Sequence, residues 1–254
     1  MPAAPVIAAL ALPADCLVGQ RVAKKLLLEH GTPATGDKKQ INEGLEELTW
    51  HAALKPTTTG VAAFTDDTRE YLEIAVLVAA LRPAAKRARL VELIHRAIPY
   101  PVLLVTAQGE CATISLAHKR RSQAEAGKFV LDGPVVATEP MITARPEPAD
   151  VAFLAGLALT AQPGAHLHAL YHGWLARVTA HRAAALTGRV EALAEPAATH
   201  EARVAYLGDH ARVSAELAAL RVSAAKARQV SRRVELNLAI RDCQAELDRL
   251  EGLL

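Results

Sequence analysis

The chain has 254 residues, enough for one large domain or two small ones. Hydrophobic residues make up 51% of it but aromatic residues only 4%, so Ala, Leu and Val must build the core, and helices are favoured over sheets. The net charge of +2 excludes the strongly basic surface of a domain devoted to nucleic acid.

Cysteine usage and apolar runs predict a cytoplasmic protein with no membrane segment. The three cysteines are far apart and form no CxxC pair, so they indicate neither a disulfide framework nor a zinc site. The apolar N-terminus lacks the Lys or Arg that precedes the apolar part of a secretion signal. The longest apolar run, residues 151–161, has about half the length of a membrane span.

The first predicted elements are two helices. Residues 17–30 have periodic apolar spacing and end at Gly31, which is typical of a helix C-terminus. Asp37 is a suitable N-terminal cap for a second helix over residues 38–54, in which apolar residues recur every three or four positions.

The next predicted elements form a sheet. Residues 71–81 and 102–107 are nearly unbroken apolar runs of strand length, which indicates strands buried on both faces. A predicted helix over residues 84–97 connects them, so the two strands should be parallel in a right-handed βαβ unit. Shorter strands are predicted over residues 111–118, 128–131 and 135–138, the last two as a hairpin around Asp132-Gly133.

The chain changes character at residues 145–148, which contain two prolines and are the best candidate linker. The sequence therefore predicts an α/β (α+β) domain with a small mixed sheet over residues 1–148. An all-α region over residues 149–254 follows. It is interrupted at residues 195–196 and ends in a long coiled-coil-like helix from about residue 210.

Two heptad series run through this last helix. Apolar residues recur at spacings of four and three, with a shift of register between residues 230 and 237. One interpretation is an antiparallel helical hairpin on the parent domain, and the other is a coiled coil with a second subunit. The second interpretation makes an oligomer interface of Leu236, Ile240, Leu247, Leu250 and Leu254.

Acidic residues cluster before and inside the first predicted buried strand. A restriction-type nuclease holds Mg²⁺ with carboxylates on neighbouring strands and places a Lys two residues after the second acid. Ala75 occupies that position after Glu73, so a nuclease would need a Lys from elsewhere. A solvated loop is the alternative. The candidate catalytic residues are Asp67, Glu70, Glu73 and Lys119.

Basic residues cluster at three places where they could contact a phosphate backbone. The third, residues 228–233, has no aromatic residues among its arginines and lies in the predicted tail helix. A solvated face is the alternative interpretation for each cluster. The nucleic-acid-binding candidates of the first two clusters are Lys86, Arg87, Arg89, Lys119, Arg120 and Arg121.

His168 and His172 are four residues apart in a predicted helix, a spacing that can bind zinc. No Glu lies between them, and only His181 follows as an obvious third ligand. The sequence therefore predicts neither a metal nor another cofactor. Covalent catalysis is also not indicated, because Cys111 and Ser115 have no flanking base.

Short segments spread over nearly the whole chain form a recognisable pattern. They are residues 21–25 (RVAKK), 46–58 (EELTWHAALKPTT), 73–76 (EIAV), 98–102 (IPYPV), 116–119 (LAHK), 170–174 (LYHGW) and 234–237 (VELN). Together they resemble a bacterial family, domain of unknown function 4391. No single segment is specific, but the set is.

The resemblance implies an accessory component of the kind encoded beside helicases and DNA methyltransferases in restriction-like or phage-defence systems. It carries no catalytic residue over to this chain. We therefore expect a non-enzymatic accessory or scaffold subunit that binds such a helicase or methyltransferase and self-associates through its C-terminal helix. A divergent metal-dependent nuclease and a non-catalytic module that binds DNA are the alternatives.

Overall fold

The computed structural model of the chain describes residues 1–31, 34–125, 127–190 and 200–254. They form two compact units, Met1–Val178 and Thr179–Leu254. The first combines a mixed sheet with helices and the second is helical, which confirms the predicted α/β region followed by helices. The predicted boundary at residue 148 stays a prediction, and the predicted break at residues 195–196 lies outside the described residues.

Strands occur in the first unit and helices in both. The strands are β1 Leu17–Arg21, β2 Leu45–Leu54, β3 Phe64–Thr65, β4 Glu70–Tyr71, β5 Ile74–Leu81, β6 Val102–Gln108, β7 Cys111–Leu116, β8 Lys119–Arg121, β9 Phe129–Leu131, β10 Val136–Ala137 and β11 Met141–Ile142. The helices are α1 Ala3–Ala9, α2 Lys24–His30, α3 Thr35–Gly44, α4 Pro56–Thr59, α5 Arg87–Ala97, α6 Pro148–Ala155, α7 Leu167–Thr187, α8 His200–Lys226 and α9 Val230–Leu253. None of these helices has both the length and the apolar character needed to span a membrane.

The main sheet has the strand order β1-β2-β5-β6-β7-β10, and β11 also pairs with β7. β5 and β6 are parallel and are connected by α5, which confirms the predicted parallel βαβ unit. The other pairs in this sheet are antiparallel. Two small sheets pair β3 with β4 and β8 with β9.

The core of the first unit lies around β5 and β6, whose apolar runs are buried as predicted. α5 packs on this core with one apolar face, because its buried residues recur at helical spacing. α2 and α3 contact α5 and also each other. The buried residues of α5 include Leu90, Leu93, Ile94 and Ala97.

The predicted helix over residues 38–54 is wrong in its second part. α3 ends at Gly44, and the following residues form β2, which pairs with both β1 and β5. β2 has irregular register between Leu45 and Glu47 and again between Trp50 and Ala52. These irregularities interrupt the alternation of a strand, so its buried residues begin at spacings of three and four, which is the period of a helix.

Two other predictions are corrected at the margins of the sheets. The predicted helix over residues 17–30 is a strand, β1, followed by α2, because residues 17–21 pair with β2 at the edge of the main sheet. All side chains of β1 are exposed, so the strand carries no burial pattern. The predicted hairpin around Asp132-Gly133 does not form, because the strand before it pairs with β8 and the strand after it with β7.

The predicted tail helix is two helices, α8 and α9, which residues 227–229 connect. They run antiparallel, since Val213 and Leu217 of α8 pack with Leu247 and Leu250 of α9. The heptad series therefore meet in a hairpin within one chain. Pairing with a second subunit stays a prediction.

Candidate functional site

Several ionisable side chains of the first unit with shifted pKa values lie around His118. The Oη atom of Tyr71 lies 2.5 Å from Nδ1 of His118, and Nδ1 of His172 lies 3.5 Å from Nε2 of His118. The ring centroids of His168 and His118 are 5.1 Å apart. His168 and His172 are one turn apart on α7 and so share a face of that helix. We call these four residues the histidine–tyrosine cluster.

Burial sets the charge state of this cluster. Burial, with smaller contributions from neighbouring histidines and from Arg69, lowers the pKa of His118 to about 3 and that of His168 to about 4. Burial also raises the pKa of Tyr71. Near neutral pH the phenol is therefore protonated, and we assign it as the donor to Nδ1 of neutral His118.

The cluster lies beside a charged pair. Arg69 donates to Asp132 from Nε at 2.9 Å and from Nη2 at 2.6 Å. This ion pair occupies one oxygen of the Asp132 carboxylate, Oδ2. Among the described residues, no group of three or more His, Cys, Asp or Glu side chains is arranged to hold a metal ion.

Tyr171 joins α7 to the ends of two strands. Its side chain is fully buried, and its Oη accepts a hydrogen bond from the backbone N–H of Ala117 at 2.9 Å. The same oxygen lies 2.7 Å from the carbonyl oxygen of Val102 and 2.9 Å from that of Ala117. The next turn is fixed by Trp174, whose Nε1 donates to the carbonyl of Leu157 at 2.9 Å. Three of the segments that resemble the family, residues 98–102, 116–119 and 170–174, therefore meet at Tyr171.

Lys119, a candidate for both catalysis and phosphate binding, is only 1% exposed. Its Nζ donates to the backbone carbonyl oxygens of His95 and Ile98, at the C-terminus of α5. A cation is favourable there because the last carbonyl groups of a helix lack partners and carry partial negative charge. Burial lowers the pKa of Lys119 to about 8. Its ammonium group faces the interior, away from the solvent that a phosphate or a reacting water would occupy.

The candidate catalytic carboxylates are held in separate contacts. Glu70 pairs with Arg121 at 2.6 Å, and Glu73 pairs with Lys55 at 3.2 Å. Asp67 is exposed on the loop before β4. The structure therefore brings neither Glu70 nor Glu73 to Lys119. The ammonium group of Lys119 binds the C-terminus of α5 instead.

Three of the basic candidates, Arg89, Arg120 and Arg121, are paired with neighbouring acids. Arg89 pairs with Asp37 at 2.7 Å and with Glu92 at 2.6 Å, and the Asp37 carboxyl has a lowered pKa chiefly because of its hydrogen bond from Arg89. Arg120 lies 3.8 Å from Asp132. Arg121 pairs with Glu70, as described above. Lys86 is exposed and Arg87 half-buried at the start of α5.

The predicted interface residues of the tail are used inside the hairpin. Leu247 and Leu250 pack against α8, with Ile240 partly buried beside them. Leu254 packs with Ala183 and Leu207 in a second cluster, and Leu236 is buried as well. Self-association therefore needs either an opened hairpin or a different face of the same helices.

The fold and these contacts define an α/β protein with a mixed sheet, a polar junction between α7 and the sheet, and a C-terminal helical hairpin. The chain belongs to the family described as domain of unknown function (DUF4391), whose model matches residues 10–247. That match confirms the resemblance found in the sequence. No curated protein and no solved structure matches the chain.

Proposed function

We propose that the chain is a non-enzymatic accessory or scaffold subunit of a bacterial DNA-modification or phage-defence system. It acts in the cytoplasm, binds a helicase or DNA methyltransferase of that system and self-associates through its C-terminal helix. The chain belongs to the family, and the accessory role is what the resemblance to that family implies. The chain contributes binding surfaces to the assembly, and its partner contributes the chemistry.

Exposed apolar side chains on the hairpin carry the self-association part of this proposal. Val230 is 74% exposed, Val234 53% and Leu238 48%. They follow one another at one-turn intervals on α9 and therefore lie on one side of that helix. Val222, near the end of α8, is 55% exposed. We call these four residues the apolar tip residues. Apolar side chains grouped on a surface are typical of protein interaction sites.

The state of the candidate catalytic residues supports the non-enzymatic part of the proposal. Glu70 and Glu73 are paired with different cations, and Lys119 is buried at the end of a helix. A nuclease would need these groups to converge on one Mg²⁺ and one water. Their present contacts serve the fold instead.

The test is complex formation with the proposed partners, a helicase or DNA methyltransferase of the same system. Purified partners are mixed with the full-length chain, and the masses of the complexes are measured by light scattering after gel filtration. We expect a complex with wild type that contains two copies of the chain, and a complex with one copy when Val234→Glu and Leu238→Glu are combined. Leu72→Glu, at a residue 52% exposed in the first unit, is the matched control and should leave two copies in the complex. No complex with wild type, or two copies that survive the double substitution, contradicts the proposal.

A further inference from the structure

The charges of the hairpin are segregated along its length. The tip half, residues 221–241, has six basic residues and one acidic residue. The base half, residues 200–220 and 242–254, has seven acidic and three basic residues. Two contacts between the helices fix this alignment: Nε2 of His210 lies 3.4 Å from Glu251, and Arg221 donates to Gln244 at 3.2 Å. The hairpin is therefore positive at one end and negative at the other.

Several of these charges have no partner within the hairpin. Among the described residues, Arg228 and Arg233 of the tip half have no carboxylate within 4.0 Å, and Glu216 and Asp248 of the base half have no cation within that distance. All four are exposed. Other charges pair along one helix, as Arg232 does with Glu235. The uncompensated charges thus have opposite signs at opposite ends.

Apolar side chains show a matching asymmetry. The four apolar tip residues are large and exposed, as described above. On the base half, α8 exposes small residues at the same heptad spacing, Ala211, Ala215 and Ala218, and this row continues to Val222 in the tip half. Large side chains at one end can pack against small ones at the other, because small residues allow helices to approach closely.

We propose that two copies of the chain associate through their hairpins in antiparallel orientation, with the tip half of each against the base half of the other. This places the apolar tip residues of each copy over the alanines of its partner, and it brings opposite charges together twice across a two-fold axis. A parallel arrangement would place basic tip against basic tip. The leucines between α8 and α9 stay where they are, so the hairpin need not open. The inference rests on the self-association that belongs to the proposed function and specifies its geometry.

Charge reversal tests this geometry. The full-length chain is compared with a tip variant, Arg228→Glu with Arg233→Glu, and a base variant, Glu216→Lys with Asp248→Lys. The dimer dissociation constant is measured by analytical ultracentrifugation at low salt. Each variant should raise it at least about tenfold, because several exposed charge pairs become repulsive together. A variant with all four substitutions should return towards the wild-type value, because the reversed residues of the tip half are again opposite in sign to the reversed residues of the base half.

Matched controls separate this effect from misfolding and from net charge. Lys38→Glu with Arg145→Glu changes exposed residues of the first unit by the same charge as the tip variant and should leave the dimer unchanged. Circular dichroism should show wild-type helix content in every variant. Added salt should weaken the wild-type dimer, since its attraction is between exposed charges.

The outcomes distinguish this inference from the proposed function. A wild-type monomer, a dimer indifferent to both reversals, or a four-substitution variant that stays monomeric overturns the antiparallel pairing. So does a monomer whose basic tip half binds a DNA duplex in place of a second copy. A monomer that still forms the complex with its helicase or methyltransferase overturns the pairing and leaves the proposed partner in place. A charge-dependent dimer that binds neither enzyme supports the pairing and overturns the proposed partner.

Discussion

The two units of this protein use polar residues in opposite ways. The first unit buries them and satisfies them with backbone groups, as Lys119 does at the end of α5 and Tyr171 does at the ends of β6 and β7. The hairpin of the second unit has a seam of Leu, Val and Ile, and most of its charged side chains are exposed, although Arg203 is buried. Polar residues therefore specify the interior of the first unit, whereas the exposed charges of the hairpin can specify a partner.

The largest expected effect comes from the seam of the hairpin. Leu250→Ala should reduce the free energy of unfolding of the second unit by about 2–5 kcal/mol, because a side chain only 1% exposed is replaced by a cavity. Leu238→Ala, on the exposed side of the same helix, should cost less than about 0.5 kcal/mol. Hydrogen exchange of the α9 amides measures both. Equal losses would mean that the two faces of α9 do not differ as described.

The next effect tests the polar junction of the first unit. Tyr171→Phe should cost about 1–3 kcal/mol, because it removes the hydroxyl that bonds Ala117 and leaves buried backbone groups without a partner. Tyr100→Phe, at a residue 40% exposed, is the matched control and should be near neutral. Urea unfolding followed by tryptophan fluorescence measures the difference. A neutral Tyr171→Phe would show that the junction is held by packing alone.

A smaller effect should depend on pH. The pKa values of His118 and His168 are lowered by burial, so on acidification the unfolded chain binds protons before the folded chain does. Stability is complete above the ordinary histidine pKa of 6.5 and falls as the pH drops towards 4. At pH 5.5 each histidine should cost about 1 kcal/mol. His168→Gln should flatten the stability profile between pH 6.5 and 4, whereas an unchanged slope would exclude His168 as a source.

The smallest effect concerns the acidic candidates. Glu73→Ala should lower stability by less than about 1 kcal/mol, since it removes an ion pair with a half-exposed Lys55. It should also leave any Mg²⁺-dependent cleavage of DNA unchanged. Plasmid cleavage with and without Mg²⁺ is the measurement. Cleavage by wild type that disappears in this variant would restore the nuclease hypothesis, and polar residues of the first unit would then serve catalysis as well as its interior.

Sequence patterns succeeded where one regular period governs burial. The heptad series of the tail identified the residues that meet between α8 and α9, and the apolar runs identified β5 and β6. They failed at β2, because its irregular register imitates a helical period, and at β1, because an exposed edge strand has no burial pattern. At both strands the structure is determined by backbone pairing with residues distant in sequence. The local spacing of apolar residues cannot show such pairing.

Sequence patterns could not predict the histidine–tyrosine cluster, for a different reason. The spacing of His168 and His172 is visible in the sequence, and His118 lies in one of the segments that resemble the family. Nothing in the sequence, however, relates α7 to the end of β7. Tyr71 belonged to a predicted buried strand without any polar role. Only the packing of α7 against the sheet brings Nδ1 of His172 to 3.5 Å from Nε2 of His118.

Burial around Tyr71 and Tyr171 also limits the protein in alkaline solution. The pKa values of both phenols are raised by burial, so above pH 10 the unfolded chain loses protons that the folded chain retains. Stability must then fall as the pH rises, just as the neighbouring imidazoles make it fall in acid. The appearance of phenolate absorbance from these two tyrosines would accordingly coincide with the loss of the first unit, making them a built-in optical reporter of its unfolding.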